Sequence, residues 1–509
     1  MSRLSQIAYD IRLKKTTATC DSHALENSPE TPLLNDQAFD KTFLVTWMDE
    51  NDKDNPRNWR PLYKCWLTFL LGMLALSAFL GSSIIAPAKE DIGRHLGTGE
   101  QQTVLVVSLY VLGFAFGPLL WAPISETFGR RWSLLPPLFG LAITSVASAS
   151  SQTAVGLFLS RFVGGVFGSA PVTNVSACLG DLFEPHARGA AVAFYAMCTV
   201  GGPTIGPVIG AAITADHRFG WRWTEYVEAL WAFVVASLGV CFLPELYHPV
   251  LLARAANKKR RETGNPKHWH PHETAQLSLD AIWSRHMSLP LSMLIYEPIV
   301  MCIAAYASFV YGVLYMTLEL YPFVFRDMRH LAPVMANLPF LGLFVGVVCA
   351  IGINMANQVR YAKAMASNHN QAVPEARLPP LILGGTLFVI GLFGFGWTAA
   401  ARYHWLFPTT FGAFIGAGFN VTFQQCINFL VDTYSVHAAS AVAANTFLRS
   451  LFAFSLPLSA RSLLAQAGAG TTCSILGAIS CIALPIPFWF IFYSAKLREK
   501  SRFAMVDSS

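Results

Sequence analysis

The sequence has little charge. Only 13% of its 509 residues are charged and 53% are hydrophobic, whereas a soluble domain carries about a quarter charged residues. The apolar residues also fall into blocks of about twenty, the length that a helix needs to cross roughly 30 Å of hydrocarbon. This composition excludes an ordinary soluble domain and predicts an all-α integral membrane protein.

The signatures of several other protein classes are also missing. The ten cysteines are scattered, with no metal-ligand spacing and no disulfide framework. The apolar blocks contain no phosphate-binding Gly-Lys motif and no His-rich box, and "HWHPH" (His268 to His272) lies in a polar segment typical of a solvated linker. We therefore predict no metal site, no cofactor and no enzyme activity. The net charge of +6 reflects basic loops, so we expect no nucleic-acid partner.

Twelve apolar blocks are visible, six on each side of a polar segment. They predict twelve transmembrane helices in two six-helix bundles, near residues 65–86, 102–122, 133–151, 155–180, 188–213, 224–244, 297–322, 333–355, 379–400, 405–430, 440–465 and 471–494. The expected organisation is a disordered cytosolic segment (1–60), an N-terminal bundle (61–244), a cytosolic central loop (245–295), a C-terminal bundle (296–495) and a cytosolic tail (496–509).

The basic residues are sorted among the loops. Lys and Arg accumulate before the first block, in the second-to-third loop, in residues 254–261 and in the tail, whereas the loops of opposite parity are short and mixed. Because basic loops stay in the cytosol, this pattern predicts a multi-pass protein of the cell membrane with both termini cytosolic. Residues 1–60 are polar, so we expect no signal peptide.

A charged motif interrupts the apolar sequence at "WAPISETFGRRWSLL" (121–135). Its glycine permits a tight turn, its arginines can meet the carbonyl ends of neighbouring helices, and its glutamate can pair with a cation. We predict a conformational gate here, with the alternative that the arginines are ordinary cytosolic anchors. The predicted gate residues, including two that flank the fourth-to-fifth turn, are Glu126, Gly129, Arg130, Arg131, Asp181 and Arg188.

The fifth block carries a stripe of small residues. In "GGPTIGPVIGA", Gly202, Gly206 and Gly210 are four residues apart, with Pro203 and Pro207 on an adjoining row. Such spacing lets helices approach closely, and the prolines can kink the helix. A generic helix-packing face is the alternative to a specific functional motif.

Both motifs resemble signatures of the major facilitator superfamily, and the chain is similar to its fungal twelve-span drug:proton antiporters over about residues 54–495. The loop motif departs from the general family form at Ala122 and Thr127. Further similar segments are "DNPRNW", "RFVGGVFGSAP", "LGDLFEPHARGAA", "GWRWTEY", "YGVLYMTLELYPFVF" and "AASAVAANTFLRS". The resemblance implies proton-driven export of small organic molecules, and the fifth-span motif implies export rather than uptake.

Few ionisable residues lie inside the blocks, where charge is costly. Arg161 occupies the position of the family's fourth-span arginine, which the resemblance associates with proton coupling, and Glu319 is our predicted proton carrier. The alternatives are a snorkelling arginine and a partly solvated rim residue. We expect Arg449 to hold a helix end and Asp432 to be a solvated cap.

Polar and aromatic residues in the spans predict a central cavity for amphipathic compounds. The candidates are Tyr195, Tyr311, Tyr315, Phe419, Asn420, Gln424, Gln425 and Asn428. Xenobiotics, host-derived toxins and the producer's own secondary metabolites remain open as cargo.

The leading hypothesis is therefore a monomeric, proton-coupled efflux transporter that works by alternating access. Its partners would be protons, the lipid bilayer and a small-molecule substrate. A proton binding Glu319 from outside would bias the outward-to-inward transition. A polyamine exporter and a nutrient importer or uniporter are the alternatives, and a non-transporting receptor or membrane enzyme is least favoured.

Overall fold

The computed structural model describes residues 43–47, 52–184, 187–216, 218–274, 287–368, 373–434 and 437–501. The chain divides into two compact units. Among the described residues, the smaller unit comprises residues 43–46 and Leu252–Glu273, and the larger comprises the remainder.

The larger unit contains the long apolar helices, which we number α1 to α12. The first six are α1 (Pro61–Ser83), α2 (Leu105–Phe128), α3 (Arg130–Ser150), α4 (Ala154–Leu182), α5 (Gly189–Ala215) and α6 (Arg222–Phe242). The second six are α7 (Pro298–Pro322), α8 (Phe340–Ser367), α9 (Leu378–Thr398), α10 (Leu406–Tyr434), α11 (Ala438–Ala483) and α12 (Pro485–Lys500). Short helices Lys89–Leu96, Glu100–Thr103, Leu289–Tyr296 and Pro333–Asn337 lie between them.

The last two predicted spans are joined in a way that the sequence did not predict. Gly468 lies inside α11 with φ 72° and ψ 171°, so the helix breaks there without a loop. The described residues consequently contain eleven separate helical segments long and apolar enough to span a membrane, the last of which is Ala438–Ser494. The part of α11 before Gly468 matches the eleventh predicted span, and the part after it, together with α12, matches the twelfth.

Local sequence explains several helix boundaries. Pro61 and Pro298 stand in the first turns of α1 and α7, where a missing backbone N–H costs nothing. Thr153 caps α4 by accepting a hydrogen bond from the Gly156 backbone N–H. Gly129 alone separates α2 from α3.

The helices form two sets of six. In the first set, α2 packs on α4 and α1 on α5, and in the second set α9 packs on α10 and α7 on α11. The two sets meet where α2 contacts α11 and where α5 contacts α8. This is the predicted all-helical architecture of two six-helix bundles.

The smaller unit lies within segments predicted to be a disordered terminus and a loop. Its described part includes residues of the helix His248–Thr263. Leu44 and Trp269 form a parallel backbone bridge, and Arg260 pairs with Glu273 at 2.5 Å. Hydrogen bonding to Arg260 is the main cause that lowers the pKa of Glu273.

Candidate functional site

Arg161 contacts several helices of the N-terminal bundle. Its side chain is 1% exposed, so it does not snorkel to a surface. The guanidinium donates to the Val106 carbonyl of α2 (2.9 Å) and the Gly81 carbonyl of α1 (2.7 Å), and it lies 4.5 Å from the Tyr110 ring. Its Nη1 pairs with Glu225 Oε1 of α6 at 3.0 Å. One arginine of α4 therefore joins four helices of this bundle.

A second acid stands beside this ion pair. Glu228, three residues after Glu225 in α6, is also fully buried. Neither of its carboxyl oxygens has a hydrogen-bond partner among the described residues. Neither glutamate was predicted as a functional residue, although both lie inside the predicted sixth span (224–244) as well as in α6. Their spacing of three on one helix face was the available signal.

Charged residues connect the two bundles at the end where α1 finishes, which we call the distal end. Glu319 of α7 pairs with Lys89, and its other oxygen accepts from Arg461 of α11 at 3.4 Å. Arg461 also pairs with Glu100 at 2.6 Å. We call this network, with the Arg326–Glu90 pair at 2.8 Å, the distal clasp; its residues are Lys89, Glu90, Glu100, Glu319, Arg326 and Arg461.

The predicted proton carrier lies within this clasp. Glu319 and Lys89 are 6% and 4% exposed, and together they line a cavity of about 220 Å³. Both partners of Glu319 are cations, so its ionised form is the one that holds the bundles together. Its role as a proton carrier stays a prediction.

The predicted gate lies at the opposite end, which we call the terminal end because α1 begins there. Gly129 has φ 99°, a conformation that favours glycine. A side chain there would also meet the Glu245 carboxyl, because an added Cβ would lie 2.3 Å from its Oε2. Glu245 accepts from the backbone N–H groups of Arg130 (2.8 Å) and Arg131 (3.3 Å) at the start of α3. This helix-capping acid was not predicted from the sequence.

The arginine side chains of the gate have separate partners. Arg130 pairs with Asp181 at 2.7 Å, and Arg131 donates to the Val240 carbonyl near the end of α6 at 2.7 Å. Glu126 lies half-buried in the last turn of α2. The partners of Arg130 and Arg131 described above belong to the N-terminal bundle or the segment after it, so these contacts stabilise that half internally.

Arg188 was predicted to join the Arg130 network, but among the described residues it forms no hydrogen bond or ion pair with Arg130 or Asp181. It precedes α5, and the charges acting on it are those of Asp432, Arg377 and Arg57. Burial is the main cause that lowers the pKa of Arg188, and the negative charge of Asp432 opposes this shift. Asp432 is not a solvated cap, because α10 continues to Tyr434 and Arg377 pairs with Asp432 at 2.8 Å.

The glycine stripe of α5 faces the end of α1. An added Cβ would lie 2.4 Å from Phe79 Cβ at Gly202 and 1.9 Å from the Ile84 carbonyl oxygen at Gly210. At Gly206 it would lie 2.1 Å from the Ser83 hydroxyl, which donates to the Gly202 carbonyl at 2.9 Å. The stripe therefore permits close packing of α5 on α1, while Pro203 and Pro207 are buried in the same helix.

The predicted substrate residues divide into two groups. Tyr311 of α7 lies 5.3 Å from Tyr315 and 6.1 Å from Phe419 of α10. Phe423, which was not among the predicted residues, stacks on Phe419 at 5.6 Å. We call these four residues the aromatic cluster. It touches the other bundle, because the Tyr315 hydroxyl hydrogen-bonds to the Ser82 hydroxyl at 3.1 Å.

The amides occupy a different place. Asn354 of α8 donates to Asn420 at 3.1 Å and accepts from Gln425 at 2.8 Å, so these two side chains bind a neighbouring helix. Gln424 and Asn428 are half-buried on α10. The Tyr195 hydroxyl donates to the Val172 carbonyl at 2.8 Å.

Arg449 adjoins the aromatic cluster. Contrary to the sequence-based expectation, it does not hold a helix end, because it lies within α11. Its guanidinium carbon is 5.1 Å from the Tyr311 ring centre and 4.9 Å from that of Phe423. The side chain is 5% exposed.

Comparisons with known proteins identify this arrangement. The profile described as Major Facilitator Superfamily matches residues 71–457. The chain belongs to the major facilitator superfamily. Its fold is similar to that of the bacterial proton:xylose symporter XylE, with a TM-score of 0.61, 17% identity and coverage of 85% of this chain and 97% of that one. At this identity the likeness concerns the fold alone.

Relatives within the superfamily are fungal transporters. The chain is 36% identical to the major facilitator superfamily multidrug transporter FLU1 of Candida albicans, over 91% of this chain and 76% of the relative. It is 34% identical to the efflux pump bik6 of Gibberella fujikuroi, over 91% of this chain and 96% of the relative. The prediction of a multi-pass membrane transporter of this superfamily, rather than an enzyme, is confirmed.

Proposed function

We propose that this transporter exports small amphipathic organic compounds in exchange for protons, by alternating access. The observation that carries the proposal is Glu228, a fully buried carboxyl with no described partner beside the Arg161–Glu225 pair. Ionisable groups in the membrane are costly, and they mark proton or substrate pathways. The names of the relatives, a multidrug transporter and an efflux pump, favour export.

Of the two candidate proton sites, Glu319 belongs to the distal clasp and Glu228 does not. Protonation of Glu319 would remove the charge that attracts Lys89 and Arg461, so it favours separation of the bundles at that end. A proton that crosses with the clasp closed must therefore rest on another acid. Glu228 suits that role, because its uncharged form needs no cation in the buried site.

Export by this cycle also depends on which end of the protein faces the cytosol. We infer that the terminal end is cytosolic in the cell membrane, since the basic segment before α1 and the arginines of the α2–α3 turn lie there. The clasp would then close the outer side while substrate enters from the cytosol. The transporter would act as a monomer. Substrate would bind near the aromatic cluster between the bundles, and opening of the distal clasp would release it outside.

The test is transport in inverted membrane vesicles with an imposed pH gradient, screened over a compound panel. We expect gradient-dependent accumulation, and accumulation that persists after an ionophore collapses the gradient would refute antiport. In Glu228→Gln, we expect gradient-driven uptake to be lost while substrate exchange without a gradient continues, because exchange moves no net protons.

Matched variants separate the two acids. Glu319→Gln should weaken the clasp and alter exchange as well as gradient-driven uptake. Glu262→Gln, which changes an exposed acid of the helix His248–Thr263, is the control and should behave as wild type. Normal gradient-driven uptake by Glu228→Gln would move the proton site elsewhere.

A further inference from the structure

The surroundings of Arg449 are those of a cationic binding residue without a bound anion. It is buried, and it lies over two ring faces of the aromatic cluster. It forms no ion pair with any carboxylate that the structure describes, and its Nε has no hydrogen-bond partner there. A guanidinium offers five N–H donors. Aromatic ring faces attract its positive charge, but they do not accept hydrogen bonds from these donors as carboxylate oxygens do.

Asn445 adds a second unused group on the same helix. It precedes Arg449 by four residues, so both side chains lie on one face of α11. Asn445 is fully buried, and neither Oδ1 nor Nδ2 has a hydrogen-bond partner among the described residues. Buried polar groups of proteins are normally paired, so two adjacent exceptions indicate a partner that the chain itself does not supply.

The neighbouring rings define what else that partner contains. Tyr311 stacks on Phe423 at 5.8 Å with an angle of 26°, and Phe419 and Phe423 are almost parallel at 10°. Flat ring faces of this kind accept another planar ring by offset stacking. The position is also between the bundles, since the Tyr315 hydroxyl of the cluster hydrogen-bonds to the Ser82 hydroxyl of α1 at 3.1 Å.

We propose that Arg449 and Asn445 bind the carboxylate of an aromatic substrate whose ring stacks on the aromatic cluster. The planar guanidinium binds a carboxylate through two parallel hydrogen bonds, and the amide of Asn445 supplies a further donor. This assignment rests on the proposed export of small organic compounds and names their class. The same charge repels polycations, so it opposes a polyamine as cargo.

A binding experiment tests the substrate class without transport. The purified full chain is placed in nanodiscs of uncharged lipid and titrated with 2-naphthoate and with 2-naphthamide, which differ mainly in charge. We expect the Kd of the carboxylate to be lower by about tenfold or more, the factor that one charge-assisted hydrogen bond supplies. Equal Kd values, or binding of neither compound, would overturn the proposal.

Variants test whether any preference for the carboxylate over the amide arises at Arg449 and Asn445. Arg449→Gln should abolish the preference for the carboxylate, Arg449→Lys should keep part of it, and Asn445→Ala should reduce it by a smaller factor. Arg402→Gln is the matched control, because Arg402 lies exposed in the α9–α10 connection, and it should keep the full preference. A full preference in Arg449→Gln would refute the assignment.

Two safeguards keep the result interpretable. If Arg449→Gln does not remain monodisperse, the wild-type comparison and Arg449→Lys still decide the question. Equal Kd values for the two compounds in the wild-type chain, alongside intact gradient-driven uptake, would refute this substrate class alone. Carboxylate binding without gradient-driven uptake would refute the proposed antiport alone.

Discussion

Each bundle contains a buried arginine, and the two have opposite environments. In the N-terminal bundle, Arg161 is matched by Glu225 and by carbonyl groups of two further helices. In the C-terminal bundle, Arg449 lies over aromatic rings and has no described acid. Both are almost fully buried, so exposure does not explain the difference.

The comparison suggests different roles for the two arginines, one in stabilising the fold and the other in binding a ligand. Breaking a buried ion pair is strongly destabilising because the remaining charge is left uncompensated. Removing a buried cation that is not paired with a carboxylate leaves no such charge behind. Arg161 is therefore expected to support the fold, whereas Arg449 is expected to be retained for what it binds.

The largest effect is expected for Arg161→Leu. This change leaves Glu225 buried without its cation beside a second acid, Glu228. We expect a loss of about 3–5 kcal/mol in the free energy of unfolding, seen as a lower thermal midpoint in intrinsic fluorescence. Arg94→Leu, at an exposed position on the helix Lys89–Leu96, is the control. An unchanged midpoint for Arg161→Leu would contradict the structural role.

An intermediate effect is expected when the acids of α6 are exchanged one at a time. Glu225→Gln removes the charged partner of Arg161 and should cost about 1.5–3 kcal/mol, the range for hydrogen bonds to charged groups. Glu228→Gln removes no described hydrogen bond and should leave the thermal midpoint unchanged or higher. Equal losses in the two variants would show that Glu228 also has a structural partner.

A smaller effect is expected for an uncharged contact of the C-terminal bundle. Asn420→Ala breaks the hydrogen bond from Asn354 and should cost about 1 kcal/mol. Gln424→Ala, at a half-buried position on the same helix, should change the midpoint less. If Gln424→Ala costs as much as Asn420→Ala, the α8–α10 amide contact is not the source of the loss.

The helices were largely predictable, because hydropathy and length decide which segments can span a bilayer. The tight turn at Gly129 and the close packing at Gly202 also followed from residue type. The predicted ends were less accurate where polar residues extend a helix past its apolar block. Asp432 was placed outside α10 for this reason.

Partnerships between distant residues could not be predicted in the same way. Lys89 and Glu319 are 230 positions apart, and only the packing of the two bundles brings them together. Arg161 and Glu225 are separated by 64 positions. A single sequence shows that both arginines are costly in the membrane. It does not show that one pairs with an acid and that the other pairs with none of the described acids.

The thermal midpoint of Arg449→Leu, measured beside that of Arg161→Leu without ligand, tests this difference most directly. We predict that Arg449→Leu unfolds at or above the wild-type midpoint, since no described ion pair is broken. A fall as large as that of Arg161→Leu would show that Arg449 supports the fold, and would contradict its assignment to substrate recognition.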